Sequence, residues 1–223
     1  MIGRGTDKIK RFELGIKAMK YIVMEIDDSF MTIISKIDSS QQQLVNKLNL
    51  TNNIKFIGYS SNPEIFYKDA CMHIFPTLVE AFPNILSETL VYGIPNILLG
   101  LDYVSTGKGG TIIIYDDSSL SVAKIAIKIL KNKRIRKKLG KEARKNMKNF
   151  KNEVLLNRWT NLILSIYKGD NSYNNLNQNT TISENDALKI LENQIKLLKK
   201  RNKKFENITI NNILNFTFMK NIK

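Results

Sequence analysis

The sequence predicts an α/β protein, in which a parallel sheet carries helices on both faces. Short apolar runs with β-branched residues alternate along the chain with segments whose apolar residues recur at helical spacing. Stop signals such as Gly93 and Pro95 separate these segments. Strands that alternate with helices favour a parallel sheet covered on both faces, with ligands bound outside the carboxyl ends of the strands.

Each element follows from a local pattern, taken in chain order. Helical spacing of apolar residues predicts helices over residues 12–24 and 41–48, and Asn62 and Pro63 open a third helix over residues 63–69. A fourth helix over residues 84–92 ends at Gly93. Apolar runs predict strands over residues 30–34, 54–57, 72–75, 96–99 and 111–115. Three further helices over residues 120–130, 135–147 and 153–167 complete a domain of residues 1–168.

The composition changes after residue 168. Residues 169–185 are rich in Asn, Ser and Thr and predict a linker, and residues 186–223 predict a helical tail. Ser183 can cap a tail helix in which Leu188, Leu191, Ile195 and Leu198 are spaced three, four and three apart. Two interpretations stay open, a helix that folds back on its own domain and a helix that binds a partner or a second copy.

The positive charge of the chain is concentrated in one region. The net charge is +15, and residues 124–151 carry 13 Lys/Arg against the single acid Glu142, whereas residues 1–123 carry 11 basic and 13 acidic side chains. Either these are solvated helix faces, or they attract an anionic membrane surface, because Ile135, Leu139, Ala143 and Met147 recur every four residues behind them. Specific nucleic-acid binding is not expected, since zinc-finger spacing and an aromatic-basic stacking platform are absent from the sequence.

The lack of a recognisable targeting signal and the single cysteine predict a soluble, cytoplasmic protein. No stretch approaches the ~18 consecutive apolar residues of a membrane span, and residues 1–10 lack the apolar core of a signal peptide. Cys71 is the only cysteine, so an internal disulfide is excluded. We expect its side chain to be a small buried hydrophobe rather than a reactive thiol.

Two glutamates in the segment of residues 75–95 are the strongest functional signal. Glu80 is predicted in the loop that follows a strand, and Glu88 on the next helix. Carboxylates there can accept hydrogen bonds from sugar or ribose hydroxyls, while the first turn of that helix suits a phosphate. The segment can therefore hold both ends of a sugar nucleotide.

The residues around these glutamates resemble the signature of the retaining glycosyltransferases of family 4, which have the GT-B fold. The resemblance rests on Pro76-Thr77, Ala81-Phe82-Pro83-Asn84 and Tyr92-Gly93-Ile94-Pro95, on Gly3-Arg4 and Lys10-Arg11-Phe12, and on residues 53–59. It extends to about residue 167 and covers the C-terminal, donor-binding half of such an enzyme.

This resemblance implies roles for individual residues. Arg4 and Lys10 would contact the donor diphosphate, with Lys8 as an alternative to Lys10, and fixed cations there stabilise the departing nucleotide without a metal. Glu88 would bind the ribose, and Glu80 would face the donor sugar as the catalytic residue. The remaining donor-binding positions implied are Gly58, Tyr59, Phe82, Pro83, Asn84 and Ile85. No cofactor or metal is expected.

Other candidate residues have simpler explanations. His73 is the only histidine, and within a predicted strand it is expected to be a satisfied core or rim residue rather than a base. The acidic pairs at Asp27-Asp28 and Asp116-Asp117 favour turn and capping roles. The loop of residues 107–110 lacks the ending of a phosphate loop.

The sequence thus predicts a glycosyltransferase donor-binding domain that transfers a glycosyl group to a hydroxyl with retention. Its first strand is reduced to Met1-Ile2, and a GT-B enzyme has a second, acceptor-binding half, so we expect activity to require an acceptor-domain protein. The alternative is a non-catalytic module, truncated or relic, that binds a nucleotide sugar, a membrane or a partner.

Overall fold

The computed structural model describes most of the predicted domain and part of the tail. The described residues are 1–4, 6–80, 83–100 and 109–169, together with Leu188, Lys189, Glu192, Asn193, Ile195 and Lys196. Phe82, Leu191, Leu198 and Ser183 lie outside them, as do residues 107 and 108 of the loop of residues 107–110 and all of the predicted linker of residues 169–185 except Gly169.

The strands of the described chain are parallel and form two groups. Their bounds are β1 Met31–Ile33, β2 Ile54–Phe56, β3 His73–Phe75, β4 Asn96–Leu99 and β5 Thr111–Ile114. β1 pairs with β2, β4 lies between β3 and β5, and Ile2 forms a parallel bridge with Ile34 beside β1. The parallel arrangement that the alternating pattern predicts is confirmed.

The seven α-helices of the described chain occur where the sequence predicts them. Their bounds are α1 Phe12–Glu25, α2 Ser39–Lys47, α3 Glu64–Tyr67, α4 Asn84–Val91, α5 Ser119–Lys131, α6 Lys133–Met147 and α7 Asn152–Tyr167. α3 is shorter than predicted, although Pro63 and Lys68 at its ends retain helical backbone angles. A 3-10 turn over Lys8–Lys10 was not predicted; Asp7 caps it by accepting a hydrogen bond from the Ile9 N–H at 3.0 Å.

The core forms where the helices pack on the strands and on one another. α1 packs against α5 and α2, and α4 packs against α6. A Cβ on Gly140 of α6 would lie 2.5 Å from the Gly93 carbonyl oxygen, so glycine permits this close approach. Arg144 of α6 donates a hydrogen bond to the Tyr92 carbonyl at 2.8 Å. These contacts fix the C-terminal end of α4, the helix that carries Glu88.

A cavity of about 810 Å³ is lined by residues of β1 and β3. Met1 lines it too, and its terminal ammonium donates a hydrogen bond to the Thr32 carbonyl at 2.8 Å. Burial lowers the pKa of this ammonium to about 5. His73 lines the same cavity and is buried, with its Nδ1 atom 2.7 Å from Asn96 Oδ1. The expectation of a core histidine is confirmed, but its ring is satisfied at Nδ1 only, which donates to the side-chain oxygen of Asn96. The Nε2 atom is buried without a hydrogen-bond partner among the described residues.

The expectation for Cys71 is wrong, because its side chain is exposed. The residue lies in the short turn between α3 and β3, where the neighbouring Asp69 and Ala70 are exposed as well. An apolar residue in such a turn is not covered by the helices that bury the strand behind it. Within the described residues, no helix is long and apolar enough to cross a membrane.

The described tail residues are helical and contact the domain. Asn193 is buried and donates a hydrogen bond from Nδ2 to the Gly100 carbonyl at 3.0 Å, just beyond β4. Ile195 is buried, and the Lys189 ammonium lies 5.7 Å from the centre of the Tyr115 ring, just beyond β5. These contacts favour the interpretation in which the tail helix folds back on its own domain.

Candidate functional site: a donor-binding edge of the sheet

The predicted site residues follow the carboxyl ends of parallel strands. Arg4 comes two residues after the Ile2 bridge, Gly58 two residues after β2, and Glu80 five residues after β3. Because the strands are parallel, these ends lie at the same edge of the sheet, where α/β proteins bind their ligands.

Lys10 and Glu80 are brought into direct contact. The Lys10 Nζ atom donates to Glu80 Oε1, and the two side chains are only 17% and 15% exposed. Lys8, the alternative phosphate ligand of the sequence analysis, is exposed. Of the two lysines, Lys10 is thus the one that contacts Glu80.

Backbone hydrogen bonds hold this contact in place. The Ile9 carbonyl accepts from the Leu78 N–H at 3.0 Å and from the Thr77 hydroxyl at 3.5 Å. Thr77 is almost fully buried. The loop after β3 is thus tied to the 3-10 turn before α1, and this fixes Glu80 next to Lys10.

Glu88 has a buried neighbour that orients it. The Tyr67 hydroxyl of α3 donates a hydrogen bond to Glu88 Oε2 at 2.9 Å. Burial, followed by this hydrogen bond, raises the pKa of Tyr67 well above its ordinary value, so the hydroxyl stays a donor. The Tyr67 ring also packs edge-to-face on Tyr92, whose hydroxyl donates to Glu64 at 2.8 Å. Glu88 itself is exposed and accessible to a ligand.

In the sequence, the N-terminus of α4 lies between Glu80 and Glu88. Pro83 is buried at the N-cap position, and no side chain caps the helix there. Asn84 is exposed and Ile85 is half-buried. A helix start without a side-chain cap presents its first N–H groups to an anion, although Pro83 itself contributes none.

Three other predicted site residues, Arg4, Gly58 and Tyr59, are not part of the contacts described above. The Arg4 side chain is 84% exposed, and its guanidinium lies 3.8 Å from the Asp7 carboxylate. Gly58 has φ +82°, a conformation that favours glycine, and no atom lies within 4 Å of the place where a Cβ would be. Tyr59 beside it is 90% exposed. The resemblance implies that Gly58 and Tyr59 lie beside the nucleotide base, and a flat, exposed ring next to open space suits such a planar group.

Comparison with known proteins decides the family. The model of the family described as Glycosyl transferases group 1 matches residues 1–146. The chain belongs to this family. An uncharacterized glycosyltransferase of Methanocaldococcus jannaschii is 25% identical to it, over 73% of this chain and 48% of that protein. This group 1 glycosyltransferase chain therefore spans about half the length of that curated relative.

Solved structures show the same fold. A Staphylococcus aureus TarM mutant, solved in complex with fondaparinux, α-GlcNAc-glycerol and UDP, superimposes with a TM-score of 0.66 at 19% identity, over 72% of this chain and 34% of TarM. The C-terminal domain of the Francisella tularensis group 1 protein LpcC superimposes with a TM-score of 0.58 at 16% identity, over 66% of this chain and 83% of that domain. The fold of this glycosyltransferase chain is thus that of the C-terminal half of a GT-B enzyme.

Sequence reasoning missed three contacts in and near the candidate site. Tyr67 and Thr77 act through contacts 21 and 68 positions away, which no local pattern reveals. The third is an ion pair between Arg11 and Asp117, whose side chains are each 13% exposed. Asp116 beside it accepts from the Ser121 hydroxyl at 2.6 Å. The predicted turn and capping role thus fits Asp116, whereas Asp117 joins α1 to the start of α5.

Proposed function

We propose that this chain is the donor-binding half of a retaining glycosyltransferase of family 4. It would transfer a glycosyl group from a nucleotide sugar to an acceptor hydroxyl once an acceptor-binding half is supplied. The observation that carries the proposal is the contact between Lys10 and Glu80, which places a cation and a carboxylate side by side at the ligand-binding edge. In a sugar diphosphate, the phosphates suit the cation and the sugar hydroxyls suit the carboxylate.

The cationic groups suit the departing diphosphate. Transfer leaves negative charge on the nucleotide, and fixed donors aimed at that charge stabilise it without a metal ion. Lys10 and the first N–H groups of α4 are such donors, and Arg4 can join them from its exposed position. We accordingly expect activity without added divalent metal.

The two carboxylates suit the hydroxyl-bearing ends of the donor. Glu88, held by Tyr67, would accept hydrogen bonds from the ribose, and Glu80 would accept them from the sugar and act as the catalytic residue. A diphosphate and Glu80 compete for the same Lys10 ammonium. Donor binding would therefore draw Lys10 toward phosphate and release Glu80 to the sugar.

The proposed reaction assigns the remaining partners. The acceptor half would close the site over the carboxyl edge, and the predicted cytoplasmic location goes with this function. A non-catalytic module that binds a nucleotide sugar would share the donor contacts and lack turnover, whereas a module that binds a membrane or a partner would lack nucleotide affinity as well. The two proposals are therefore separated by measuring turnover in addition to binding.

The test of this function is calorimetric titration with UDP, GDP and ADP. UDP comes first because the TarM structure contains it. We expect one nucleotide to bind, and Glu88→Gln and Arg4→Ala to weaken it, while Glu13→Gln in α1 serves as a matched control. Absence of binding by a folded protein would contradict the proposal. Nucleotide-sugar turnover that Glu80→Ala abolishes would support the enzyme, and binding without turnover in the presence of an acceptor half would support the module.

A further inference from the structure

Residue 11 has an unusual backbone conformation next to the candidate site. Arg11 follows Lys10 directly and has φ 50° and ψ 42°, the left-handed helical conformation. Among the described residues, the only other non-glycine residue with positive φ is Asn49. Asparagine tolerates this conformation, whereas for arginine it is unfavourable. Such a conformation persists only where its surroundings hold it, and it often marks a functional site.

The conformation of Arg11 sets the direction of the turn that carries Lys10. This 3-10 turn, Lys8–Lys10, and helix α1 are both right-handed. With right-handed angles at residue 11, the turn would continue directly into the helix. The left-handed residue instead bends the chain between them, and the Arg11 N–H closes the turn by donating to the Lys8 carbonyl at 3.3 Å. The direction of the Lys10 side chain therefore depends on residue 11.

An ion pair holds Arg11 in place. Its guanidinium contacts the carboxylate of Asp117, and both side chains are only 13% exposed. Asp117 is itself fixed by both of its neighbours. Asp116 accepts from the Ser121 hydroxyl at 2.6 Å, and Ser118 caps α5. Because α1 also packs on α5, the pair ties residue 11 firmly to the segment that follows β5.

Lys10 therefore lies between two tied neighbours. On one side, the Ile9 carbonyl accepts from the Leu78 N–H in the loop after β3. On the other side, Arg11 is tied to Asp117 after β5. A functional side chain keeps its geometry when the residues around it lock its position, and a long lysine side chain depends on this most.

We propose that Arg11 and Asp117 are positioning residues, which aim the Lys10 ammonium at the donor diphosphate. The inference rests on the proposed function, in which Lys10 is the diphosphate-binding lysine. The ion pair holds residue 11 in the left-handed conformation, and this conformation keeps Lys10 beside Glu80. Arg11 and Asp117 thus act on donor affinity through the backbone of residue 11, without contact to the ligand.

Glycine at position 11 separates positioning from stability. Two double variants, Arg11→Gly with Asp117→Asn and Arg11→Ala with Asp117→Asn, carry the same charge and leave no unpaired buried ion. They differ in one methyl group, which disfavours the left-handed conformation in the alanine variant only. Calorimetry uses whichever of UDP, GDP and ADP the wild-type protein binds. We expect the glycine variant to stay within roughly threefold of the wild-type affinity, and the alanine variant to bind roughly fivefold more weakly than the glycine variant.

A second readout concerns Lys10 directly. Lys10→Ala should weaken diphosphate binding by roughly tenfold in the glycine variant but by less than about threefold in the alanine variant, where the lysine is already displaced. Without ligand, the coupling between Lys10→Ala and Glu80→Gln in urea unfolding should persist in the glycine variant and be lost in the alanine variant. Circular dichroism checks that the variants are folded.

Two results would overturn the proposal. The first is an equal diphosphate affinity of the two double variants, because a purely structural ion pair affects both alike. The second is a coupling between Lys10 and Glu80 that is the same in both. If the wild-type protein binds none of the three nucleotides, the proposed function fails instead, and the coupling measured without ligand decides the positioning role.

Discussion

The ammonium group of Lys10 lies against the carboxylate of Glu80, although 70 positions separate the two residues. Both side chains are largely buried, so solvent screens the pair less than a surface ion pair. The two groups that the proposed chemistry requires thus already hold each other at the ligand-binding edge. A bound diphosphate has to compete with Glu80 for Lys10.

This competition makes the effect of Glu80→Gln depend on the ligand. Removal of the carboxylate frees Lys10 and removes a negative charge, so affinity for the bare nucleotide diphosphate should rise, by roughly threefold to tenfold. The additional affinity that the sugar provides should fall. Calorimetry with the nucleotide and its sugar conjugate measures both, with Glu13→Gln as control. A lower affinity for the bare nucleotide would contradict the competition.

The hydrogen bond from Tyr67 should matter for ribose recognition. Tyr67→Phe leaves Glu88 without its buried donor, and we expect discrimination between the nucleotide and its dideoxy analogue to fall by roughly threefold to tenfold. Tyr92→Phe is the matched control, because the Tyr92 hydroxyl donates to Glu64 instead. Equal losses of discrimination in the two variants would show that Tyr67 acts only through general packing.

The ion pair between Arg11 and Asp117 should contribute to stability. Asp117→Asn leaves a mostly buried guanidinium without its counter-charge, so the free energy of unfolding should fall by about 3 kcal/mol. Urea denaturation measures this change. Glu25→Gln, which breaks the exposed pair between Glu25 and Lys131, should change stability little. A similar small effect of Asp117→Asn would refute a structural role for the buried pair.

The burial of His73 and of the Met1 amino group predicts that the free energy of unfolding rises with pH. Burial lowers the pKa of His73 to about 3 and that of the Met1 ammonium to about 5, so the unfolded chain binds more protons than the folded one between these values and the ordinary ones of 6.5 and 8.0. Urea midpoints should therefore increase from pH 4 to pH 8. Acetylation of the Met1 amino group should remove the contribution of Met1 and leave that of His73, so the rise above pH 6.5 should disappear. A midpoint that falls over this range would contradict the assigned burial.

The agreement between predicted and observed elements follows local chemistry. The bounds predicted for β4 are those observed, because an apolar run between Pro95 and a glycine leaves no other choice. The predicted bounds of α1, α4 and α7 agree with the observed ones to within a residue, because apolar residues at helical spacing mark these helices. Glu80, Glu88 and Lys10 were predicted as site residues from their sequence context, and their roles stay predictions.

Other features depend on tertiary contacts that local patterns do not encode. The link of Ile9 to Thr77 and Leu78, which holds Glu80 next to Lys10, joins segments nearly 70 positions apart. The spacing of apolar residues indicates that a helix has an apolar face, but it does not indicate what covers that face. The buried Ala143 of α6 and the exposed Trp159 and Ile163 of α7 therefore look alike in the sequence. The exposure of Cys71 was missed because a turn residue is buried or exposed according to its neighbours.

The central claim is that Lys10 is the lysine that binds the donor diphosphate at this edge, and a pair of variants tests it most directly. Lys10→Ala and Lys8→Ala remove the same side chain from two positions of one 3-10 turn. We expect Lys10→Ala to weaken binding of the preferred nucleotide diphosphate by roughly tenfold or more and Lys8→Ala to change it little. Equal affinities of the two variants, or unchanged binding by Lys10→Ala, would contradict the account.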